Sequence, residues 1–150
     1  MQRSEMDSAV RLASMIHFDE ILLALYSYRH HVIEQRSEER VAAFYRSLGE
    51  RVHERWSVDR AAAETRLSRR RFTELFRRVA GEPFSLHLQR LRLETACELL
   101  IEEEQSIAGA AFSCGFEDLS HFYRSFRRHF GVPPGQWVQR QNSEPRRRQE

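Results

Sequence analysis

Residues Ser106–Pro134 read SIAGAAFSCGFEDLSHFYRSFRRHFGVPP, and the order of residue types in this stretch decides the fold. Ser106 and Ile107 open a short segment of small residues (Ala108, Ala110, Ala111) that lets another helix approach closely. Cys114-Gly115-Phe116 then supply a turn, and Asp118 is placed to cap a second helix that runs to His129. Gly131 and the pair Pro133-Pro134 end it. Short helix, tight turn and longer helix is the outline of a helix-turn-helix.

The same order occurs upstream. Ser57 precedes a short run, Asp59 to Thr65, containing Ala61, Ala62 and Ala63, too brief to stand alone. Arg66-Leu67 follow, then Ser68 as N-cap of a helix that continues to Val79 and stops at Gly81, with Glu82-Pro83 beyond. Between the two copies, Leu88, Leu91, Leu93, Ala96, Leu99 and Leu100 give an apolar face to a helix from Ser85 to Glu103, which would span roughly 28 Å. The identity between copies is low, but the succession of small, turn, cap, apolar and arginine positions recurs. The expected fold class is all-α: two helix-turn-helix subdomains joined by a long linker helix.

Further upstream, Phe18, Ile21, Leu25, Tyr28 and Val32 recur at steps of three and four, on one stripe of an amphipathic N-terminal helix. Gln35, Arg36, Ser37 and Glu38 read as a linker, after which Val41, Phe44, Leu48 and Val52 mark a helix from Glu39 to Glu54. The expected organisation is residues 1–35 as a dimerisation or linker helix, 36–142 as a double helix-turn-helix domain, and 143–150 as a disordered tail. The stripe fits either a homodimer seam or docking on the chain's own domain, and docking is the preferred reading.

With 150 residues the chain has room for at most two compact units. A net charge of +2, from 24 basic and 22 acidic residues, excludes a uniformly polycationic nucleic-acid binder, so charge distribution carries the argument. Every basic residue is arginine, a permanently charged planar fork. Ser68 to Arg78 has net charge +4 and Leu119 to His129 has +3, whereas Glu94 to Glu104 between them is acidic. Cys97 and Cys114 read as reduced core thiols. His30 and His31 are adjacent, and no paired-cysteine or zinc-helix spacing occurs, so no metal or other cofactor is expected. Phosphate-loop and nucleophile-elbow patterns are also missing, and the chain is not expected to be an enzyme. No apolar run approaches a membrane span, and a cytoplasmic protein is the expectation.

On a helical wheel Phe72, Leu75, Phe76 and Val79 fall to one side, and Arg70, Thr73, Glu74 and Arg77 to the other. In the second copy Phe122 and Phe126 oppose Ser120, Tyr123, Arg124 and Arg127. A helix entering the major groove needs this division: an apolar back, long donors for base edges, and further arginines for phosphates. His121, at the rim of the second helix, is a candidate for backbone contact.

Trp56 through Gln139 resembles the DNA-binding domain of the arabinose-regulator (AraC/XylS) family. The most specific portion is Ser106-Ile107, Ala110-Ala111, Gly115-Phe116, Ser120-His121-Phe122, Phe126, Phe130-Gly131 and Pro133-Pro134, supported upstream by Trp56-Ser57, Leu67-Ser68, Leu75-Phe76, Gly81, Leu91-Arg92-Leu93, Ala96 and Leu99-Leu100. The resemblance implies a seven-helix domain binding double-stranded DNA as a transcriptional regulator, usually an activator. It assigns base reading to Arg70, Thr73 and Glu74 and to Leu119, Ser120, Tyr123 and Arg124. Phosphate contacts fall to Arg69, Arg77, Arg127 and His121, and RNA polymerase is an implied partner. Two positions depart from the pattern: Arg66 stands where the first turn often has glycine, and Ala61 replaces a larger aliphatic residue. Many members carry a β-rich effector domain ahead of this region, which residues 1–55 cannot hold, so ligand sensing through such a domain is not expected. The contrasting class is a helical protein-interaction module, or a competitor of longer regulators with no activating role of its own.

Overall fold

A computed structural model describes residues 2–102 and 105–143, with side chains from residue 17 onward. Among the described residues there are seven α-helices and no strand: α1 (Gln2–Ser47), α2 (Val58–Glu64), α3 (Arg69–Ala80), α4 (Phe84–Ile101), α5 (Ile107–Ser113), α6 (Leu119–Phe130) and α7 (Pro134–Ser143), with one 3-10 turn at Gly49–Arg51. The chain divides into two compact units, Met1–Glu39 and Arg40–Glu150.

The first unit is helical throughout its described residues, and the linker expected at Gln35–Glu38 does not form. Neither glycine nor proline interrupts residues 2–48, and the polar side chains bond within the helix instead of capping a new one. Ser37 Oγ donates to the Ile33 carbonyl at 2.8 Å, and Gln35 Nε2 lies 3.0 Å from His31 Nε2. Phe18, Ile21, Leu25 and Tyr28 are exposed and Val32 is half-buried.

The expected helix Glu39–Glu54 is likewise part of α1, which ends at Ser47, so Val52 lies beyond the 3-10 turn rather than on the helix. Val41, Phe44 and Leu48 enter the first core of the second unit together with Ala61, Ala62, Phe72, Leu75, Phe76, Phe84 and Leu88. Phe44 is central: its ring meets Trp56 at 5.0 Å and Phe72 at 5.8 Å between centroids, both edge-on. Each buried phenylalanine contributes about 1.5–3 kcal/mol of apolar burial, and edge-on pairing about 0.5–1.5 kcal/mol more. The bare methyls of Ala61 and Ala62 are buried among these rings, so the light residue at 61 is part of the core.

The second core has the same plan. Leu93, Ala96 and Leu100 of α4 meet Ala110, Ala111 and Cys114 on one side and Phe116, Phe122 and Phe126 on the other. Pro133-Pro134 stop α6, but Pro134 also begins α7, where a missing N–H costs nothing and a fixed φ helps. From α7, Trp137 packs on Phe126 and Phe130 at 5.9 and 5.8 Å. Ser143, expected in the tail, closes α7 with its hydroxyl donating to the Gln139 carbonyl at 2.7 Å; residues 144–150 lie outside the described residues. Each helix-turn-helix therefore borrows one outer helix, the end of α1 for the first and α7 for the second.

Candidate nucleic-acid interface

Local chemistry sets both candidate reading helices, α3 and α6. Ser68 Oγ accepts from the Arg71 N–H at 3.3 Å, and Asp118 accepts from the N–H groups of Ser120 and His121, each at 3.0 Å. Those two backbone donors hold the Asp118 carboxyl below the usual carboxylate range. Gly81 and Gly131 end the helices at φ 78°, donating to the Arg77 and Arg127 carbonyls at 2.9 Å.

The turns differ. Gly115 takes φ 80°, while Arg66 takes φ 55°, a left-handed conformation that costs a non-glycine residue about 1–2 kcal/mol. The departure at position 66 therefore leaves the turn's geometry in place and makes it strained. Thr65 steadies the approach, its hydroxyl shared between the Ala61 and Ala62 carbonyls at 3.0 Å each.

Phe72, Leu75 and Phe76 are fully buried on α3, as are Phe122 and Phe126 on α6, while Val79 is half-buried. Arg69, Arg70, Thr73, Glu74 and Arg77 are exposed on α3, and Ser120, His121, Tyr123, Arg124 and Arg127 on α6. Leu119 stands apart: it is half-buried and packs on the second core.

Several of these groups are already engaged. Arg69 Nη1 pairs with Asp59 at 2.9 Å, and Glu74 lies 3.2 Å from Arg71 and 3.6 Å from Arg78. Thr73 Oγ1 donates to the Arg69 carbonyl at 2.8 Å. Exposed pairs of this kind contribute about 0–1 kcal/mol, so a phosphate or base can replace either partner at small cost. Arg70 and Arg77 on α3, and Arg124, Arg127 and Arg128 on α6, carry no ion pair among the described residues. Arg128 escaped the sequence reading although it is exposed and follows Arg124 by one helical turn; that spacing was the available signal.

The approach to α2 is held by Arg51 and Arg60, whose guanidinium carbons sit 4.7 and 4.4 Å from the Trp56 ring centroid. Arg51 also bonds Glu54 at 2.6 Å and Glu64 at 2.5 Å, which raises its pKa further. Burial pushes the Cys97 thiol up to about 12 and Cys114 up to about 11, so both stay protonated and unreactive at neutral pH. Among the described residues no His, Cys, Asp or Glu group could hold a metal ion, and no helix is long and apolar enough to cross a membrane.

A family model described as a helix-turn-helix domain matches residues 61–140. The chain is 32% identical over 101 residues to the RCS-specific HTH-type transcriptional activator RclR of Escherichia coli, covering 67% of this chain and 36% of that protein. It spans about a third of the length of the curated regulators it matches. The DNA-binding domain of AdpA, solved in complex with a target DNA, superposes with a TM-score of 0.67 at 29% identity, covering 73% of this chain and 97% of that one. A regulator with an AraC-type DNA-binding domain from Chromobacterium violaceum gives a TM-score of 0.60 at 27% identity, over 76% of this chain and 98% of that one. With the caps, turns and paired arginine faces already described, these likenesses establish that the chain belongs to the AraC-type helix-turn-helix family.

Proposed function

We propose that the protein is a sequence-specific regulator of transcription that binds double-stranded DNA by setting α3 and α6 into two successive major-groove segments. The observation that carries this reading is the pair of capped helices whose apolar sides are locked in separate cores while their arginine sides are exposed. Arg70, Thr73 and Glu74 read bases from α3, and Ser120, Tyr123 and Arg124 from α6. Arg70 suits guanine O6 and N7, and Glu74 suits cytosine N4. Leu119 offers only its outer edge, suited to a thymine methyl. Arg69, Arg77, Arg127 and His121 hold phosphates.

The likeness to a domain solved on its target DNA supports the nucleic-acid partner, and RclR's description as an activator favours activation through recruitment of RNA polymerase. The exposed stripe Phe18, Ile21, Leu25 and Tyr28, continued by Val32, fits a homodimer seam. Selection of bound sites from random DNA, followed by titration at two salt concentrations, tests the reading. A regulator of this kind selects a bipartite sequence, and its affinity falls steeply with salt while the preference persists. Binding of an acidic protein with no preference among DNA sequences would support the interaction-module reading instead.

A further inference from the structure

The two helix-turn-helix units meet at a seam built around Arg92, half-buried on α4. Its Nε donates to the Val52 carbonyl at 2.9 Å and its Nη2 to the Glu54 carbonyl at 2.7 Å, tying the linker helix to the loop that leads into the first unit. The second unit's turn sits on the same spot: a methyl at Gly115 would stand 2.9 Å from Arg92 Nη2 and 3.0 Å from the carbonyls of Val52 and His53. Arg92 makes its close contacts to two backbone carbonyls, with the Glu117 carboxylate acting on it only at longer range, so its direction is set by those carbonyls rather than by a mobile side chain. Two further joints cross the seam. Gln89 Nε2 of α4 donates to the buried Ser125 Oγ of α6 at 2.6 Å, and Arg55 pairs with Glu117 at 3.2 Å.

We propose that Arg92 is a specificity-determining positioning residue: by closing this seam it fixes the separation and phase of α3 and α6, and so the number of base pairs tolerated between the two segments they read. The inference rests on the DNA-reading function proposed above. One added base pair moves the second segment by about 3.4 Å and turns it by roughly 35° about the duplex axis. With that loop held by two hydrogen bonds from a half-buried arginine and packed against Gly115, the joint has little slack to absorb the displacement, so the second helix must give up its base contacts. Arginine suits the post because its planar fork serves two acceptors at once, which a single ammonium does less well.

The test uses the full chain and a duplex carrying its selected site, beside duplexes with one base pair inserted or deleted between the two halves. Wild type is expected to lose about 5- to 150-fold on either altered duplex, the range that one good base contact supplies. Arg92→Met keeps the buried volume and removes the donors; it is expected to bind the native spacing more weakly and to lose less than about threefold more on altered spacing. Should Arg92→Met fail to fold by circular dichroism, the double variant Gln89→Ala/Ser125→Ala, which removes both sides of a joint together, carries the same expectation. A folded variant that retains the full wild-type spacing penalty overturns the role of the seam. Failure of wild type to select any bipartite site overturns the DNA-reading function itself, which keeps the two outcomes distinct. A uniform loss on all three duplexes, with the penalty unchanged, would assign Arg92 to a phosphate contact and also overturn the inference.

Discussion

In the first helix-turn-helix the turn falls on Arg66 at φ 55° and the cap is Ser68; in the second it falls on Gly115 at φ 80° and the cap is Asp118. The first exposed face offsets much of its charge, with Arg69 held by Asp59 and Glu74 set between Arg71 and Arg78. Within α6, Arg124, Arg127 and Arg128 have no acidic neighbour on the helix itself, and only the capping Asp118 acts on Arg124. One architecture thus tolerates two local chemistries because the cores, not the turns or caps, set the geometry. It follows that a free arginine of α6 such as Arg127 should add more to the salt-dependent attraction to DNA than the engaged Arg69 does, while α3 must exchange existing ion pairs for new ones and should discriminate more sharply.

The largest effects test the shared part of the plan. Phe126→Ala and Phe72→Ala each empty a fully buried ring site and should cost about 3–5 kcal/mol in urea unfolding. A much smaller cost for Phe72→Ala would show that the first core relaxes around the gap, and the two units would not be equivalent after all.

Binding comes next. Arg124→Ala should weaken binding by about 1–3 kcal/mol and relax preference at one base position, whereas Arg127→Ala should weaken all sequences alike and lower the salt slope by about 1. Arg69→Ala, whose charge already serves Asp59, is expected to change that slope less than Arg127→Ala does. Equal slopes for the two variants would remove the proposed difference between the faces.

Smaller still is the turn. Arg66→Gly makes the first unit resemble the second and should raise stability by up to about 1 kcal/mol, the relief of the left-handed conformation less the entropy of a new glycine. A loss on thermal melting would mean that the Arg66 side chain contributes more than its exposure suggests.

The subtlest contrast lies in the caps. The folded-state pKa of Asp118 is lowered, so its contribution is complete above the unfolded value and disappears as pH falls through the folded one. Ser68 does not titrate. Acidification from about pH 5 to pH 2 should therefore lower the exchange protection of the Ser120 and His121 amides, relative to their intrinsic rates, before that of Arg71. Simultaneous loss of protection at both caps would point to global unfolding instead.

What was legible in the amino-acid order follows one physical division. Ser68 and Asp118 cap as expected, and Gly81 and Gly131 terminate as expected, because caps and C-terminal glycines act over three or four residues; Ser57 and Ser106, read only as openings of short segments, cap as well. The arginine faces were legible because helical periodicity alone separates them from Phe72 and Phe122. Residues 35–38 misled because a polar run looks like a linker even where its side chains, such as the Ser37 hydroxyl, bond back along the helix. Pro133-Pro134 follow the end of α6 as read, but they also hide the start of α7, because proline suits the first position of a helix. Arg92 went unassigned for a different reason: its partners Val52 and Glu54 lie 40 and 38 residues away, and no local pattern announces a contact of that range.

Trp56 and Trp137 are the chain's two tryptophans, and they lie against different cores. Each half of the double domain thus carries its own optical reporter. Trp137→Phe leaves emission from an indole flanked by two guanidinium groups, and Trp56→Phe leaves emission from one stacked on phenylalanines. Fluorescence melts of the two variants would reveal whether the halves come apart together or in succession, with no label attached to the protein.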